Sequence, residues 1–320
     1  MYKLNNVDTC LYYQFASYYY MFQLISSNRI IFLGIFLVII QTFLGASFDT
    51  TTKFLGSNNN LLWYHYYALG LSFPLIFFMI YLLMIRGVKK NILFENKKDY
   101  FLPLFRGFTF IPVPIIVYYT LKQIPLNIFT PILMTTPFFI LIWSNILQKE
   151  IIAFKYWLIL IIGFSGTILV AKPTFFQTNP FIFLIFLVAA YNALTSVIVS
   201  KFSNNATTLG FTFYNLLPLT IFCLILVIFD PINLTGRELI IICIGGAFLF
   251  LAALFLTIIF HVSGKFTRII SPFFFIQLIW ASILGNFLFN ETLDYISMLG
   301  MGLIIFSGTL TIINTPKLKI

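Results

Sequence analysis

Long, nearly uninterrupted apolar runs are the feature that most constrains this chain. The first of them, Ile30 to Phe43, contains two polar side chains, Gln41 and Thr42. Runs of about twenty apolar residues recur along the sequence, and a helix of that length, rising ~1.5 Å per residue, crosses a ~30 Å hydrocarbon layer. Hydrophobic residues make up 60% of the chain and charged residues only 9%, whereas soluble domains carry roughly 25% charged residues. The sequence therefore predicts an all-α membrane protein that crosses the bilayer many times.

Turn-forming or charged segments divide the chain into ten such runs. The breaks include GSNNN at 56–60, KPTFFQTNP at 172–180 and DPINLTGRE at 230–238. Prolines within several runs are compatible with membrane helices, because neighbouring groups can satisfy the freed carbonyls. We predict ten transmembrane helices, at 30–53, 61–86, 101–121, 126–147, 152–171, 180–201, 208–229, 238–261, 268–289 and 294–314.

The net charge of +10 has an explanation in topology, so we expect no nucleic acid as partner. Fourteen Lys and Arg residues fall on the side of the termini: Lys3, Arg29, Arg86, Lys89, Lys90, Lys97, Lys98, Lys149, Lys155, Lys201, Lys265, Arg268, Lys317 and Lys319. Four fall on the other side: Lys53, Lys122, Lys172 and Arg237. Because basic loops stay in the cytoplasm, both termini are predicted to be cytoplasmic.

The ends and the cysteines of the chain add little chemistry. Residues 1–29 lack the charge pattern and cleavage site of a signal peptide, and we predict a disordered N-terminal extension there. The cysteines at 10, 223 and 243 have no metal-ligand spacing. We therefore predict neither a metal nor a cofactor.

Two stretches of the sequence repeat at a fixed distance. PILMTTPFFILIWSNILQKE (131–150) and PFFFIQLIWASILGNFLFNE (272–291) share five residues at an offset of 141, including the terminal Glu150 and Glu291. FSGT follows each copy, at 164–167 and 306–309. Each half holds five predicted spans, so the second half must lie inverted in the membrane. Inverted repeats build transporters whose substrate site lies between the halves.

The repeated stretches resemble the EamA family of the drug/metabolite transporter superfamily. The first EamA repeat is predicted at 30–173 and the second at 180–315. DTTTK at 49–53, RGF at 106–108 and the stretch from 271 to 291 most resemble the branch that contains S-adenosylmethionine uptake transporters. The resemblance implies ten helices around a central cavity. Members of that branch often carry arginine early in the second span, where this chain has His65.

Three ionisable residues within spans are candidates for substrate contact, because charges there are costly and tend to serve function. Asp49 is either a cavity carboxylate for a cation or proton, or half of an interfacial pair with Lys53 four residues on. His65 is either a titrating cavity group or part of an interfacial aromatic belt. Arg106 either binds a carboxylate or phosphate, or extends to the headgroups.

Uncharged candidates lie on the helices that are expected to line the cavity. Asn and Gln can also bind neighbouring helices, and aromatic residues often only pack or face lipid. We predict additional substrate contacts from Trp143, Tyr191, Asn192, Gln277 and Trp280.

These features predict a secondary active transporter of a small polar or zwitterionic metabolite, in a bacterial inner membrane and working by alternating access. The expected partners are the substrate, protons as a coupling ion and the lipid bilayer; a homodimer is compatible with the prediction. An exporter of amino acids, amines or drugs is the alternative on the same fold. A membrane-embedded enzyme is less well supported, because no HExxH motif, acidic pair or Ser-His pair occurs, and a scaffold would have no soluble output domain.

Overall fold

The structure is a computed structural model that describes residues 27–56, 61–124, 126–149, 152–171, 180–202, 207–290 and 294–314. Within these ranges every regular element is helical. Glu150, Glu291 and residues 1–26 of the predicted extension lie outside them. The helices of the N-terminal half are α1 Ser27–Gly56, α2 Trp63–Met84, α3 Val88–Asn91, α4 Phe101–Phe110, α5 Pro112–Gln123, α6 Leu126–Leu133, α7 Thr136–Gln148 and α8 Phe154–Ala171.

The C-terminal half contains six further α-helices and a broken connection. They are α9 Pro180–Phe202, α10 Thr208–Phe229, α11 Gly236–Ser263, α12 Thr267–Ile270, α13 Ile276–Phe289 and α14 Tyr295–Ile313. Short 3-10 turns at Gly264–Phe266 and Ser271–Phe275 flank α12, and a third turn, Lys97–Tyr100, precedes α4.

The helices confirm a multi-pass membrane protein. In the described ranges nine helical segments are long and apolar enough to cross a bilayer, and the apolar stretch Phe154–Val170 is slightly shorter. These ten segments correspond to the ten predicted spans. Phe229, Phe287 and Tyr295 are all more than four-fifths exposed. Large apolar side chains that face outward suit a lipid environment.

Two predicted spans are broken by proline, a detail that the hydropathy pattern did not predict. The third span divides at Ile111, before Pro112, into α4 and α5. The fourth divides into α6 and α7 just before Pro137, which cannot donate to the Leu133 carbonyl four residues earlier. The Thr136 hydroxyl donates to that carbonyl instead, at 2.5 Å. A side chain thus replaces the backbone bond that proline removes.

Glycines let helices of the two halves approach closely. A Cβ atom at Gly246 of α11 would overlap the backbone of Gly70 of α2. In α8 a Cβ at Gly166 would lie 2.5 Å from the Gly300 carbonyl oxygen of α14, and one at Gly300 would lie 2.6 Å from the Gly166 carbonyl oxygen. Small residues at such crossings are how membrane helices pack when lipid supplies no hydrophobic driving force.

The repeated stretches end alike in the structure. Lys149 follows α7 with φ 55°, and Asn290 follows α13 with φ 54°. The two residues are separated by the same offset of 141 that relates the repeated sequences. Matched left-handed caps agree with a repeat, whereas the inverted arrangement and the cytoplasmic termini stay predictions.

Candidate functional site

A central cavity of about 190 Å³ lies between the two halves. Helices α1, α2 and α4–α7 of the N-terminal half and α9–α11 and α13 of the C-terminal half line it, whereas α8 and α14 do not. Most of the wall is apolar, as in ligand pockets generally. The polar or ionisable lining residues are Gln41, Asp49, Tyr67, Arg106, Thr136, Asn192, Ser196, Asn215 and Gln277.

Helix α1 presents one stripe of residues to this cavity. Gln41, Gly45 and Asp49 are spaced by four, so they lie on one helix face. The helix continues through the polar stretch that follows because the threonine hydroxyls donate hydrogen bonds to carbonyls of their own helix. Thr50 donates to the Ala46 carbonyl at 2.7 Å, and Thr52 donates to the Phe48 carbonyl at 2.9 Å. The helix therefore needs no water at these hydroxyls and can hold Asp49 inside the protein.

The Asp49 carboxylate meets the opposite half of the molecule. Its side chain is buried, with 6% exposure, and Oδ2 accepts a hydrogen bond from Gln277 Nε2 of α13 at 3.2 Å. The Gln277 amide also packs on Gly45, where an added Cβ would lie 3.4 Å from Nε2. Lys53, one turn along α1, holds its ammonium 4.5 Å from the ring centroid of Phe289.

The Arg106 guanidinium is the second charge on the cavity wall. Its Nε is buried and has no hydrogen-bond partner in the described ranges. The ring centroid of Phe211 lies 6.0 Å from its Cζ. Ion pairs within 4.0 Å involve neither Arg106 nor Asp49 in the part of the chain that the structure describes. The cavity thus exposes one negative and one positive group to an incoming solute.

Amide side chains complete the polar surface. Asn192 and Ser196 lie four apart on α9, and Asn215 comes from α10. Gln41 Oε1 and Asn215 Oδ1 are buried acceptors that lack a partner among the described groups. Buried polar atoms without partners are rare and costly, so these two are available to a ligand or to water.

His65 lies away from the cavity lining, in a contact between the halves. Its Nδ1 accepts the Leu62 N–H at 3.2 Å, so Nε2 carries the proton and donates to the Asp230 carbonyl oxygen at 2.7 Å. The Tyr64 hydroxyl donates to the Asp230 carboxylate. His65 is 2% exposed and connects the start of α2 with the end of α10.

The other three predicted contacts lie on helices that line the cavity, but they are not part of its wall. The Tyr191 hydroxyl lies 2.7 Å from Thr109 Oγ1 and donates to the Arg106 carbonyl oxygen at 3.3 Å. Trp280 packs edge-on against Phe43 with ring centroids 5.3 Å apart. Trp143 packs on the hydrophobic core. Of the eight predicted residues, the structure brings Asp49, Arg106, Asn192 and Gln277 to one cavity, and a substrate role for any of the eight stays a prediction.

Gln41 and Asn215 are cavity residues that the sequence analysis did not select. Gln41 could have been found, because its run holds polar side chains at 41 and 42 alone, and position 41 lies eight residues before Asp49 on the same face. Asn215 carries no comparable pattern. It reaches the cavity through the packing of α10, which is a tertiary property.

In the described part of the chain no group of three or more His, Cys, Asp or Glu side chains could hold a metal ion. Cys223 and Cys243 are free thiols on separate helices. The cavity therefore offers charges, amides and aromatic rings to a ligand.

Comparison with known proteins gives three similarities. Residues 179–313 match the EamA-like transporter family. Proteins named S-adenosylmethionine uptake transporter, from Rickettsia prowazekii (strain Madrid E) and Rickettsia felis, are each 26% identical over 199 residues, which cover 62% of this chain and 67% of the relative. A solved crystal structure aligns with a TM-score of 0.66 at 15% identity, over 92% of this chain and 100% of the other.

The last similarity concerns the fold alone, and it extends over nearly the whole chain. The first two confirm the resemblance that the repeated stretches predicted. They indicate a membrane transporter and not an enzyme. The match to the EamA-like transporter family lies in the C-terminal half of the chain, over the second of the two predicted repeats.

Proposed function

We propose that this protein is a secondary active transporter that moves a small zwitterionic metabolite across a bacterial inner membrane. One observation carries the proposal: Asp49 and Arg106 line one cavity between the halves, and neither has an ion-pair partner in the described ranges. Charges inside membrane proteins are expensive and mark substrate or ion pathways. A solute with both a positive and a negative group would compensate both charges.

The proposed roles follow from the chemistry of the lining. The Arg106 guanidinium would hold a carboxylate through two parallel hydrogen bonds. Asn192, Asn215 and Gln41 would bind uncharged polar groups, since two of these amides have unpaired acceptors. Tyr191 would position Arg106 through the backbone contact described above. Trp143 and Trp280 lie on the lining helices α7 and α13 but outside the cavity wall, and we propose that they contact the substrate at another stage of the transport cycle. His65 would act at the contact between the halves.

The relatives suggest the first substrate to test. They are named for uptake of S-adenosylmethionine. That molecule carries a carboxylate, an ammonium and a sulfonium, so it offers both signs of charge to the cavity. We therefore propose it as the leading candidate and inward movement as the direction.

Alternating access between the halves is the proposed mechanism. The cavity lies between them, as expected for transporters built from two inverted repeats with both termini in the cytoplasm. Rocking of one half against the other would expose Asp49 and Arg106 first to one side and then to the other. Gradients supply the energy in this proposal, with protons as the coupling ion and Asp49 or His65 as the group that carries them.

Uptake by the full chain in proteoliposomes tests the proposal. The panel contains radiolabelled S-adenosylmethionine, amino acids and amines, each measured with and without an imposed pH gradient. Protein-free vesicles are the control. We expect saturable uptake of a zwitterion that a pH gradient accelerates. Failure to move any compound of the panel would contradict the proposed function, and uptake that ignores the gradient would contradict proton coupling.

A further inference from the structure

The Asp49 carboxylate is incompletely satisfied. An ionised carboxylate has about four acceptor positions, and within the described ranges Asp49 accepts one side-chain hydrogen bond, from the neutral Gln277 amide at 3.2 Å. The Asp49 carboxylate therefore lacks a positively charged partner in the described ranges.

The neighbouring cations do not supply that charge in this structure. Arg106 lines the same cavity but makes no ion pair with Asp49 within 4.0 Å. Lys53 holds its ammonium 4.5 Å from the ring centroid of Phe289. The compensating charge is therefore supplied by what enters the cavity, either a proton or a positive group of the substrate.

Aromatic rings specify which kind of cation fits. Phe48, next to Asp49 in sequence, lines the cavity together with Tyr67 and Phe274. The rings of Phe48 and Tyr67 are in contact, with centroids 5.8 Å apart and planes 70° apart. Aromatic faces attract large, weakly hydrated cations such as quaternary ammonium groups. A sulfonium resembles these groups, whereas a small metal ion would need oxygen ligands.

Gln277 connects this subsite to the opposite half. Asp49 lies on α1 and Gln277 on α13, so their hydrogen bond joins the two halves across the cavity. A cation that reaches Asp49 would lie at the acceptor positions that Gln277 leaves free, next to this contact between the halves.

We infer that Asp49 is the subsite for a fixed positive group of the substrate, a sulfonium or alkylated ammonium, and that Gln277 holds the carboxylate when the cavity is empty. This rests on the proposed function and deepens it by naming the charge that the cavity recognises. The positive group selects the substrate at Asp49, and the carboxylate of the same substrate lies at Arg106.

Matched ligands that differ by one methyl group and one charge test the inference. S-adenosylmethionine is paired with S-adenosylhomocysteine, and S-methylmethionine with methionine. Equilibrium binding to the purified full chain is measured in detergent by isothermal titration. We expect the wild-type protein to bind the sulfonium member of a pair at least tenfold more tightly, equivalent to about 1.4 kcal/mol. In Asp49→Asn the ratio should fall below about twofold.

Two further variants make the result specific. Asp49→Glu keeps the charge and should keep most of the discrimination, which a merely structural defect would not allow. Ser282→Ala removes a buried hydroxyl from α13, the helix of Gln277, outside the cavity lining. This control variant should discriminate between the paired ligands as the wild type does. Equal wild-type binding of both members of a pair, or discrimination that survives Asp49→Asn, would overturn the inference. Neither binding nor uptake of any of the four compounds would instead count against the proposed function on which it rests.

Discussion

The first helices of the two halves, α1 and α9, face the cavity with the same spacing and different chemistry. The cavity residues at this spacing are Gln41, Gly45 and Asp49 on α1 and Val188, Asn192 and Ser196 on α9. In both cases a residue every four positions reaches the cavity, as helix geometry requires. Only the α1 stripe carries a charge. The two stripes share a geometry, so under the proposed function the difference between them is a difference in what each can bind.

A second pair of positions repeats the pattern. At the offset of 141, Leu133 corresponds to Phe274 and Thr136 to Gln277, and all four line the cavity. Gln277 reaches Asp49, whereas the Thr136 hydroxyl bonds to the Leu133 carbonyl at the end of α6. Matched positions of the two halves thus contribute equally to the wall and unequally to its polar groups. The scaffold is shared between the halves and the recognition chemistry is not.

The largest effect is expected from removing the charge of the α1 stripe. Asp49→Asn should lower the rate of substrate uptake at least 100-fold, because losing one member of a buried charge pair costs ~2–5 kcal/mol. Initial uptake rates in proteoliposomes measure this. Thr50→Val, a buried neighbour outside the lining, is the control and should retain uptake. Normal uptake by Asp49→Asn would show that the charge of the α1 stripe is not needed for transport, so that the α1 and α9 stripes do not differ in function.

Enlarging a glycine where helices α8 and α14 of the two halves cross should lower the stability of the protein. Gly300→Ala places a Cβ 2.6 Å from the Gly166 carbonyl oxygen, and such overpacking costs ~1–3 kcal/mol. Gly302→Ala, on the same helix, meets nothing within 4 Å and is the matched control. Thermal unfolding of both variants in detergent measures the difference. A Gly300→Ala variant as stable as Gly302→Ala would mean that α8 and α14 are not in close contact.

The positive group of the cavity should matter less than Asp49 and only for substrates with a carboxylate. Arg106→Gln should raise KM about tenfold, since a charge-assisted hydrogen bond contributes ~1.5–3 kcal/mol. The KM of Arg106→Lys should lie between those of the wild type and Arg106→Gln, because lysine keeps the charge and loses the planar two-bond geometry. Uptake kinetics with a substrate and its methyl ester separate the effects. If Arg106→Gln raises KM equally for the acid and its methyl ester, the proposed contact between Arg106 and the substrate carboxylate is excluded.

The α9 stripe should give the smallest effects. Asn192→Ala should raise KM only a few-fold, because a neutral hydrogen bond contributes ~0.5–1.5 kcal/mol. Ser196→Ala should change it less, since the Ser196 hydroxyl already donates to the Asn192 carbonyl at 2.7 Å. Uptake measured over a range of substrate concentrations gives both values. An Asn192→Ala loss as large as that of Asp49→Asn would reverse the order of the two stripes.

The membrane spans could be predicted from sequence because their cause is local. A run of about twenty apolar residues must be a helix in lipid, since no other element satisfies its own backbone there. The break before residue 268 was predicted, but the irregular start of the ninth span, α12 followed by the 3-10 turn Ser271–Phe275, was not. This start is the part that a hydropathy pattern does not resolve. It contains Pro272, yet a proline alone does not reveal whether a helix kinks or divides. Packing between helices decides this, and packing is invisible in one hydropathy pattern.

The cavity could be predicted in part. Asp49 and Arg106 were selected because charges within spans are rare, and the structure places both on the cavity wall. His65 met the same criterion, but its partner Asp230 lies 165 residues away, so the contact between them could not be foreseen. Trp143 and Trp280 were selected by residue type, without asking which face of their helix they occupy. The helical spacing of four would have favoured Gln41, which lies on the same face as Asp49.

The glycine contact between α8 and α14 has a consequence for how this protein could move. These two helices belong to different halves, line no part of the cavity, and touch backbone to backbone at Gly166 and Gly300. Sliding or separating them would forfeit contacts that no side chain can replace. The rocking proposed here would therefore turn about this pair as a pivot. The greatest displacement would fall on the helices farthest from it, so a crosslink between α8 and α14 should be harmless to uptake.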